Sequence, residues 1–486
     1  DGGQNWKRIP VTNLGIPSRS FVNDIKADLY DENTVYVSLD NHKEGDFSSY
    51  LFKSTNKGDT WQSITGNIPE NTLVWRMVQG HVNKNLLFAA TEKGIYTSMD
   101  AGKNWQKLPG SPNIPFRDVT IQKTHNDLVG ASFGRGFYVL DDYSALREIT
   151  TETTKKEGTL FPTREALWYV PKSVVGNTGA DFYFAKNPEF GAAFTYHLAN
   201  EFMDMEKSRK DAEKELEKKN GNIPFAGWDN LEKERRQEDA IIWLTIKDQT
   251  GNVIRNVEGT SKKGINRVAW DLRHPSTRPI RPGQTEESGG RWNTGPLAMP
   301  GTYTATLSKE VDGVVTLLDG PQSFEVVPLR ESTLKGISYE DYQAYTNTYN
   351  DIQTKSAILN QSMDKVKAMQ LALSKANVAP GAMTKKLYDA KQRLFEFEET
   401  LEGNKSKDEI GERNPPNVNS YLGTARRGMS TTYGPTAMHQ ENLEIASTMV
   451  NQLMEEIKPI ANSTIPQLEN ELKNLGAPYI LGQGID

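Results

Sequence analysis

Ser98-Met99-Asp100-Ala101-Gly102-Lys103-Asn104-Trp105 is the stretch whose reading decides the fold of the first third of this chain. It fits the pattern S-x-D-x-G-x-x-W. Ser54-Thr55-Asn56-Lys57-Gly58-Asp59-Thr60-Trp61 repeats it with Asn at the Asp position, and Asp1-Gly2-Gly3-Gln4-Asn5-Trp6 repeats its second half. Self-similarity of this kind marks a repeat architecture and is read before single residues are. The chemistry is that of a tight turn. A short carboxylate or amide (Asp100, Asn56) accepts hydrogen bonds from backbone N–H groups just ahead of it. The glycine that follows supplies a position where positive φ carries no Cβ strain. The tryptophan opens the next strand and packs its large apolar surface on the turn. Nothing in such a corner needs a substrate. Asp1, Gly3, Trp6, Ser54, Asn56, Gly58, Trp61, Ser98, Asp100, Gly102 and Trp105 are therefore expected to be structural.

Short strand signals surround the octets. Phe21–Ala27, Thr34–Leu39, Tyr50–Ser54 and Thr60–Ile64 make one cycle of four. Leu73–Val78, Leu86–Ala90, Gly94–Ser98 and Asn104–Gln106 make the next, and Phe116–Ile121, Asp127–Ala131, Gly136–Leu140 and Ala145–Ile149 a third, in which Leu140-Asp141-Asp142-Tyr143 stands where the octet was. The tryptophans at 6, 61 and 105 are 55 and 44 residues apart, a spacing suited to one four-stranded propeller blade. Residues 1–150 are expected to form three blades and the tail of a fourth. Propellers typically close with four to eight, so further blades, and a signal peptide, are expected upstream of residue 1.

The octets resemble the Asp box (BNR repeat) of β-propellers, found in sialidases, sortilin-like receptors and related proteins. Phe133-Gly134-Arg135-Gly136-Phe137-Tyr138-Val139-Leu140-Asp141-Asp142 is similar to a segment of bacterial sortilin (VPS10)-like, BNR-repeat proteins often labelled glycosyl hydrolases. The resemblance covers roughly residues 1–150. It implies that the box lies on the outer turn between the last two strands of a blade, away from the active face, and that the blades surround a channel. Arg135 then has two readings. It points into the channel and offers a carboxylate its bidentate fork, or it pairs with Asp118 or Asp141 and closes the last blade; the second is favoured. Arg76, Arg117 and Arg135 fall in consecutive blades and are the candidate channel or ligand residues.

From about 159 to 330, alternating strands such as Ala166–Val170, Asp181–Phe184, Gly191–Leu198, Ile241–Ile246, Ile265–Leu272 and Pro300–Leu307 argue for a β-sandwich, similar to the immunoglobulin-like modules of exported bacterial proteins. A charge-rich helical insertion occupies about 201–239, and the polar 151–158 reads as a linker. The Gly/Pro-rich stretch 275–300, with Arg278, Arg281 and Arg291, is a contact surface or a loop packed over the propeller edge, the latter favoured. From 333 to 486 the period changes. Tyr345, Tyr349, Ile352, Leu359 and Met363 form one helical seam; Met383, Leu387, Ala390, Leu394 and Phe397 a second; Ala446, Val450, Leu453 and Ile457 a third. A three-helix bundle is expected, capped at Ser338, started near Pro435, ended or kinked at Pro459, with 414–435 an ordered loop. The fold class expected is thus multidomain, mainly β and then α.

The 486 residues carry a formal charge of −6, no cysteine and no run of about 18 apolar residues. Nucleic acid, disulfides and a helical membrane span are not expected. No His/Cys/carboxylate set has metal-ligand spacing, and His439-Gln440-Glu441 reads as helix-surface polarity, so neither metal nor cofactor is expected. Asp24, Asp118, Asp141 and Asp142 are candidate carboxylates for glycoside hydrolysis, which needs two facing each other across a cleft. Three functions stay open. The first is an extracytoplasmic (secreted, periplasmic or cell-surface) propeller that binds protein or peptide. The second is a sialidase- or xyloglucanase-like glycoside hydrolase acting on a glycan, its carboxylates partly in upstream blades. The third is a structural subunit of a cell-envelope complex docked through its helices.

Overall fold

The computed structural model describes residues 3–171, 183, 185, 187–280, 282–283, 294–331 and 336–483. The chain is β-rich first and helical last. The two octets each join the third and fourth strands of an antiparallel meander. The first sheet runs β1 (Phe21–Ala27), β2 (Val35–Asn41), β3 (Asp46–Ser54) and β4 (Gln62–Ser63). The second runs β5 (Val74–Gln79), β6 (Leu87–Thr91), β7 (Gly94–Ser98) and β8 (Gln106–Lys107). The third has three strands, β9 (Phe116–Gln122), β10 (Asp127–Ser132) and β11 (Phe137–Leu140).

The second sheet is buried on both faces, and its side chains alternate accordingly. Leu87 and Ala89 of β6 pack with Tyr36, Leu51 and Ile64 of the first sheet. Leu86, Phe88 and Ala90 pack with Phe116, Val119 and Leu128 of the third. This is why every residue of β6 and β7 is buried, the hydroxyl-bearing Thr91, Thr97 and Ser98 included. The fourth strand expected at 145–149 does not form. Asp142 caps a 3-10 turn over Tyr143–Arg147 by accepting from the Ser144 N–H (3.2 Å) and hydroxyl (2.6 Å). That turn buries Tyr143 edge-on to Phe88, its hydroxyl 2.9 Å from His81 Nδ1. β11 remains an edge, and Phe137 on it is 78% exposed.

The expected linker holds a short helix, α1 (Thr151–Lys155), capped by Thr150. Two further sheets follow. One orders β12 (Gly158–Leu160), β14 (Ala192–Leu198) and β17 (Gly264–Trp270). The other orders β13 (Ala166–Trp168), β19 (Val314–Pro328), β18 (Gly301–Val311), β15 (Ile241–Asp248) and β16 (Val253–Gly259), with β13 parallel to β19. Phe194, Tyr196 and Trp270 from one share a core with Leu244, Leu307, Phe324 and Val326 from the other. The strand expected at 181–184 lies outside the described residues apart from Tyr183, as do Arg281 and Arg291. The charge-rich segment forms α2 (Met205–Lys218) and α3 (Trp228–Arg236), clasped by Arg209 donating to both Glu234 oxygens and to Glu213.

The C-terminal seams become α4 (Tyr339–Ser374), α5 (Ala382–Glu402) and α8 (Ala437–Pro459) around one core. Ser338 caps α4 by accepting from the Asp341 N–H at 3.1 Å. The bundle exceeds three helices. α7 (Val418–Gly428) forms within 414–435, the segment expected to be an ordered loop, and α6 (Lys405–Glu409) precedes it. Asn417 caps α7, which buries Val418, Leu422 and Ala425. Pro459 ends α8, and a π-turn leads into α9 (Ile465–Asn474). His439 is buried, not a surface residue; its Nδ1 accepts from the Thr436 N–H at 3.0 Å to close the α8 cap. The described parts of 275–300 meet the helices: Leu297 N–H donates to the Met429 carbonyl at 3.0 Å, and Thr277 meets Asn350. Arg267 on β17 ties the two sheet regions together, donating to the carbonyls of Asp141 (2.7 Å) and Asp142 (3.2 Å).

Candidate functional site

The two ends of the meander sheets are bonded differently. At one end are the octet turns. Ser98 Oγ donates to Asp100 Oδ1 (2.8 Å) and accepts from the Gly102 N–H (2.8 Å), while Asp100 accepts from the N–H and amide of Asn104 (2.8 and 2.7 Å). Ser54, Asn56, Gly58 and Thr60 repeat these bonds with one inversion: Asn56 Nδ2 now donates, to Thr60 Oγ1 at 3.0 Å. Trp6, Trp61 and Trp105 each donate their indole N–H to the carbonyl of Gly3, Gly58 or Gly102, three residues back. Gly58 and Gly102 take φ of 90° and 91°. A Cβ on Gly102 would lie 2.8 Å from Ile64, and one on Gly58 2.7 Å from Ile9, so each turn rests on the isoleucine that follows the previous tryptophan. Asp1 lies outside the described residues.

Asp100 makes these bonds pH-dependent. Burial disfavours its charge, but the bonds from Asn104, Ser98 and Lys103 outweigh burial and hold the carboxyl below its ordinary value. A folded value below the unfolded one gives stability that is present above about pH 4 and lost as pH falls through the folded value. Asp100→Asn is expected to lose stability relative to wild type at pH 7, and the gap is expected to narrow as unfolding is measured from pH 6 down to pH 3. A gap that stays constant would remove Asp100 as its source.

At the opposite end the first strands share a defect. β1 skips a partner at Asn23, β5 at Trp75 and β9 at Arg117; each is an extra residue bulged out of its ladder at the same place in its sheet. Bulges re-aim side chains and concentrate at rims and sites. Here they bring the sheets into contact through matched residues. The Arg117 guanidinium lies 3.6 Å over the Trp75 ring and 5.3 Å from that of Phe133. The residues after the bulges pair: Arg76 Nη1 is 3.3 Å from Asp118 Oδ2. Trp75 is fixed from below, its indole N–H donating to Glu92 at 2.8 Å, its carbonyl accepting from the Ser38 hydroxyl at 2.9 Å, its edge against His42, which pairs with Asp40. Asp24 keeps one buried carboxylate oxygen without a partner.

Of the expected ligand residues, Arg76 and Arg117 meet at this rim. Arg135 sits in the exposed β10–β11 turn on the same side and makes no ion pair among the described residues; of its two expected partners, Asp118 takes Arg76 and Asp141 lies at the far end of the sheet. The four candidate carboxylates do not converge. Asp24 and Asp118 are at the rim, whereas Asp141 and Asp142 lie at the far end beside Asp127, where burial and that neighbour raise the Asp141 carboxyl above its ordinary value. Trp75, Phe133 and His42 carry no repeat signal. The bulges put Arg117 opposite Trp75, and Arg76 opposite Asp118, an offset invisible without the ladder. Among the described residues no group of three metal-ligating side chains forms, and no helix is long and apolar enough to cross a membrane.

No protein-family model and no curated protein matches the chain. Among solved structures it is similar to the extracellular domain of a B. thetaiotaomicron protein described as a one-component system (13% identity, TM-score 0.20, 63% of this chain and 31% of that one). It is also similar to an ancestral GH74 enzyme (13%, 0.21, 65% and 39%) and to the GH74 xyloglucanase of Xanthomonas campestris (12%, 0.20, 67% and 40%). The chain thus spans between about a third and two fifths of the length of each.

Proposed function

We propose that residues 1–150 are blades of an extracytoplasmic, sortilin-like Asp-box propeller, followed by a sandwich over 159–330 and helices over 333–486, and that it binds protein or peptide ligands at the bulged rim. The observation that carries this reading is the contact of Arg117 with two aromatic rings, 3.6 Å from the Trp75 centroid and 5.3 Å from that of Phe133. Such contacts hold a guanidinium's charge in place at small entropic cost on binding. Phe133 adds exposed apolar surface beside it. A peptide carboxylate beside an apolar side chain fits that combination. Binding rather than hydrolysis is supported by the engagement of three rim carboxylates, Asp118 with Arg76, Asp40 with His42 and Glu92 with Trp75, which leaves Asp24 without a facing free carboxylate among them.

The test is a random-peptide array probed with the purified chain. Acidic peptides with a neighbouring aromatic or aliphatic residue are expected to be selected. Arg117→Ala is expected to weaken them at least about tenfold, the scale of one charge-assisted contact, with an unchanged melting curve. Selection that ignores peptide charge would reject the reading. Turnover of aryl glycosides that disappears in Asp24→Asn would replace it with glycoside hydrolysis.

A further inference from the structure

The segment 203–240 holds no buried residue, yet it is a built element. α2 and α3 pair as a hairpin whose base is fixed to the sandwich. The Phe202 N–H donates to the Ser261 carbonyl at 3.1 Å, and Gln237 accepts from the Met205 N–H at 2.7 Å and donates to Asp312 at 3.0 Å. The stem is laced by ion pairs: Arg209 with Glu213 and Glu234, and Glu232 with Arg235 and Arg236. Helices that are polar all round stand in solvent on such pairs. The 14 residues of α2 carry the loop that follows about 21 Å from the base. That loop gathers apolar surface. Ile223, Phe225 and Trp228 are 49%, 66% and 78% exposed. The rings of Phe225 and Trp228 meet edge-on at 5.0 Å. The Gly221 N–H donates to the Leu216 carbonyl and the Asn230 amide to the Ala226 carbonyl, each at 2.8 Å, which fixes the turn. Every other described tryptophan donates its indole N–H to a carbonyl or a carboxylate; that of Trp228 has no partner among the described residues. Lys218 and Lys219 end α2 at the same tip, and no acidic side chain stands between Lys218 and Trp228. Lys218 pairs with Glu215, whereas Lys219 makes no ion pair among the described residues.

We propose that this tip docks on a lipid bilayer bearing anionic headgroups, with Phe225 and Trp228 entering the interface and Lys219 meeting the headgroup phosphates. An exposed indole with a free N–H suits the headgroup layer, where apolar chains and hydrogen-bond acceptors lie within one side chain's reach. A lysine at the edge of an apolar cluster lays its stem on that cluster and keeps its charge in the water, where an anionic surface attracts it. The apolar residues sit in a protruding loop, not in the i, i+3, i+4 stripe that a helix lays into a protein groove. A convex tip of this kind needs no matching cavity when its partner is a fluid interface. No described helix is long and apolar enough to cross a membrane, so the contact is peripheral and reversible. The tip belongs to the helical insertion of the sandwich, and its docking does not depend on the function assigned to the rim.

The test is co-sedimentation of the full chain with vesicles of phosphatidylcholine alone and of phosphatidylcholine mixed with phosphatidylglycerol. Saturable binding to the mixed vesicles is expected, weakened at least about threefold on phosphatidylcholine alone. Trp228→Ala is expected to weaken binding to the mixed vesicles at least about tenfold, since an indole carries on the order of 200 Å² of mostly apolar surface; Trp228 is exposed, so the fold is not at risk. Lys219→Gln is expected to weaken binding to the mixed vesicles and to leave binding to phosphatidylcholine unchanged. Trp6→Ala removes an indole that is exposed elsewhere on the chain and is expected to bind as wild type does. Absence of binding to the mixed vesicles, equal binding to the two kinds of vesicle, binding unchanged by Trp228→Ala, or an equal loss in Trp6→Ala would each overturn the assignment. A protein captured by the wild type and lost in Trp228→Ala, with no vesicle binding by either, would replace the bilayer with a protein partner.

Discussion

Replacing Trp105 by alanine is expected to destabilise the meander sheets by about 3–5 kcal/mol, whereas Trp6→Ala is expected to stay within about 0.5 kcal/mol. The two residues occupy equivalent places in the repeat and differ in what covers them. Trp105 is 2% exposed and Trp6 is 90% exposed. Trp105 belongs to the core shared by the first and second sheets, with Tyr36, Leu51, Val74 and Met77. Its indole N–H is shared between the Gly102 carbonyl of its own turn and the Ile64 carbonyl of the sheet before (3.2 and 2.8 Å), and Asn67 accepts from its backbone N–H. Its removal therefore opens a cavity and unpairs a carbonyl between two sheets, where each penalty adds. Among the described residues Trp6 bonds its own turn, to the Gly3 carbonyl at 2.8 Å. Because a chain with several cores does not unfold in one step, the measurement is hydrogen exchange resolved to β3, β6 and β7. Equal loss of protection in the two variants would show that the turns, not the contacts between sheets, set the stability.

Gly191→Ala is expected to be of similar severity in the second β region. Gly191 holds φ of 113°, and a Cβ there would lie 1.8 Å from the Trp270 carbonyl oxygen and 3.1 Å from the Asp271 Cα. The backbone of β17 crosses that point because Ala192 pairs with Trp270, and Trp270 is locked by its indole bond to the Arg273 carbonyl (2.8 Å) and by Tyr303 at 5.2 Å. Backbone strain of about 1–3 kcal/mol adds to about 1–3 kcal/mol for forcing an atom into a packed core. Gly110→Ala is the control: φ is 79° but nothing lies within 4 Å, so only the strain of about 1–2 kcal/mol remains. Exchange protection at β14 and β17 is expected to fall in Gly191→Ala and to hold in Gly110→Ala. Equal effects would mean that the strand pairing yields without cost.

Much of this was legible in the residues. Ser98–Trp105 announces its turn because every bond in the turn is local, and the α4, α5 and α8 seams announce themselves because helical periodicity is local too. Three things were not legible, for one reason: each depends on a partner distant in sequence. Ala145–Ile149 alternates like a strand, yet Tyr143 finds Phe88 and the segment coils. His439 looks like one polar residue among several until Thr436 and the packing of α7 enclose it. The rim was half visible. Arg76 and Arg117 stood out by charge, but the bulges that stack Arg117 on Trp75 belong to the ladders with β6 and β10.

The most direct measurement crosses the two ends of the sheets in one experiment: the peptide array probed with Arg117→Ala and Trp75→Ala at the rim and with Asn104→Ala and Asp100→Ala in the octet turn, each normalised to folded protein. The expected result is that rim variants lose peptide binding while octet variants keep binding per folded molecule and lose stability. Octet variants that lose binding at full stability, or rim variants that bind as wild type does, would contradict the division between a rim that recognises and turns that hold.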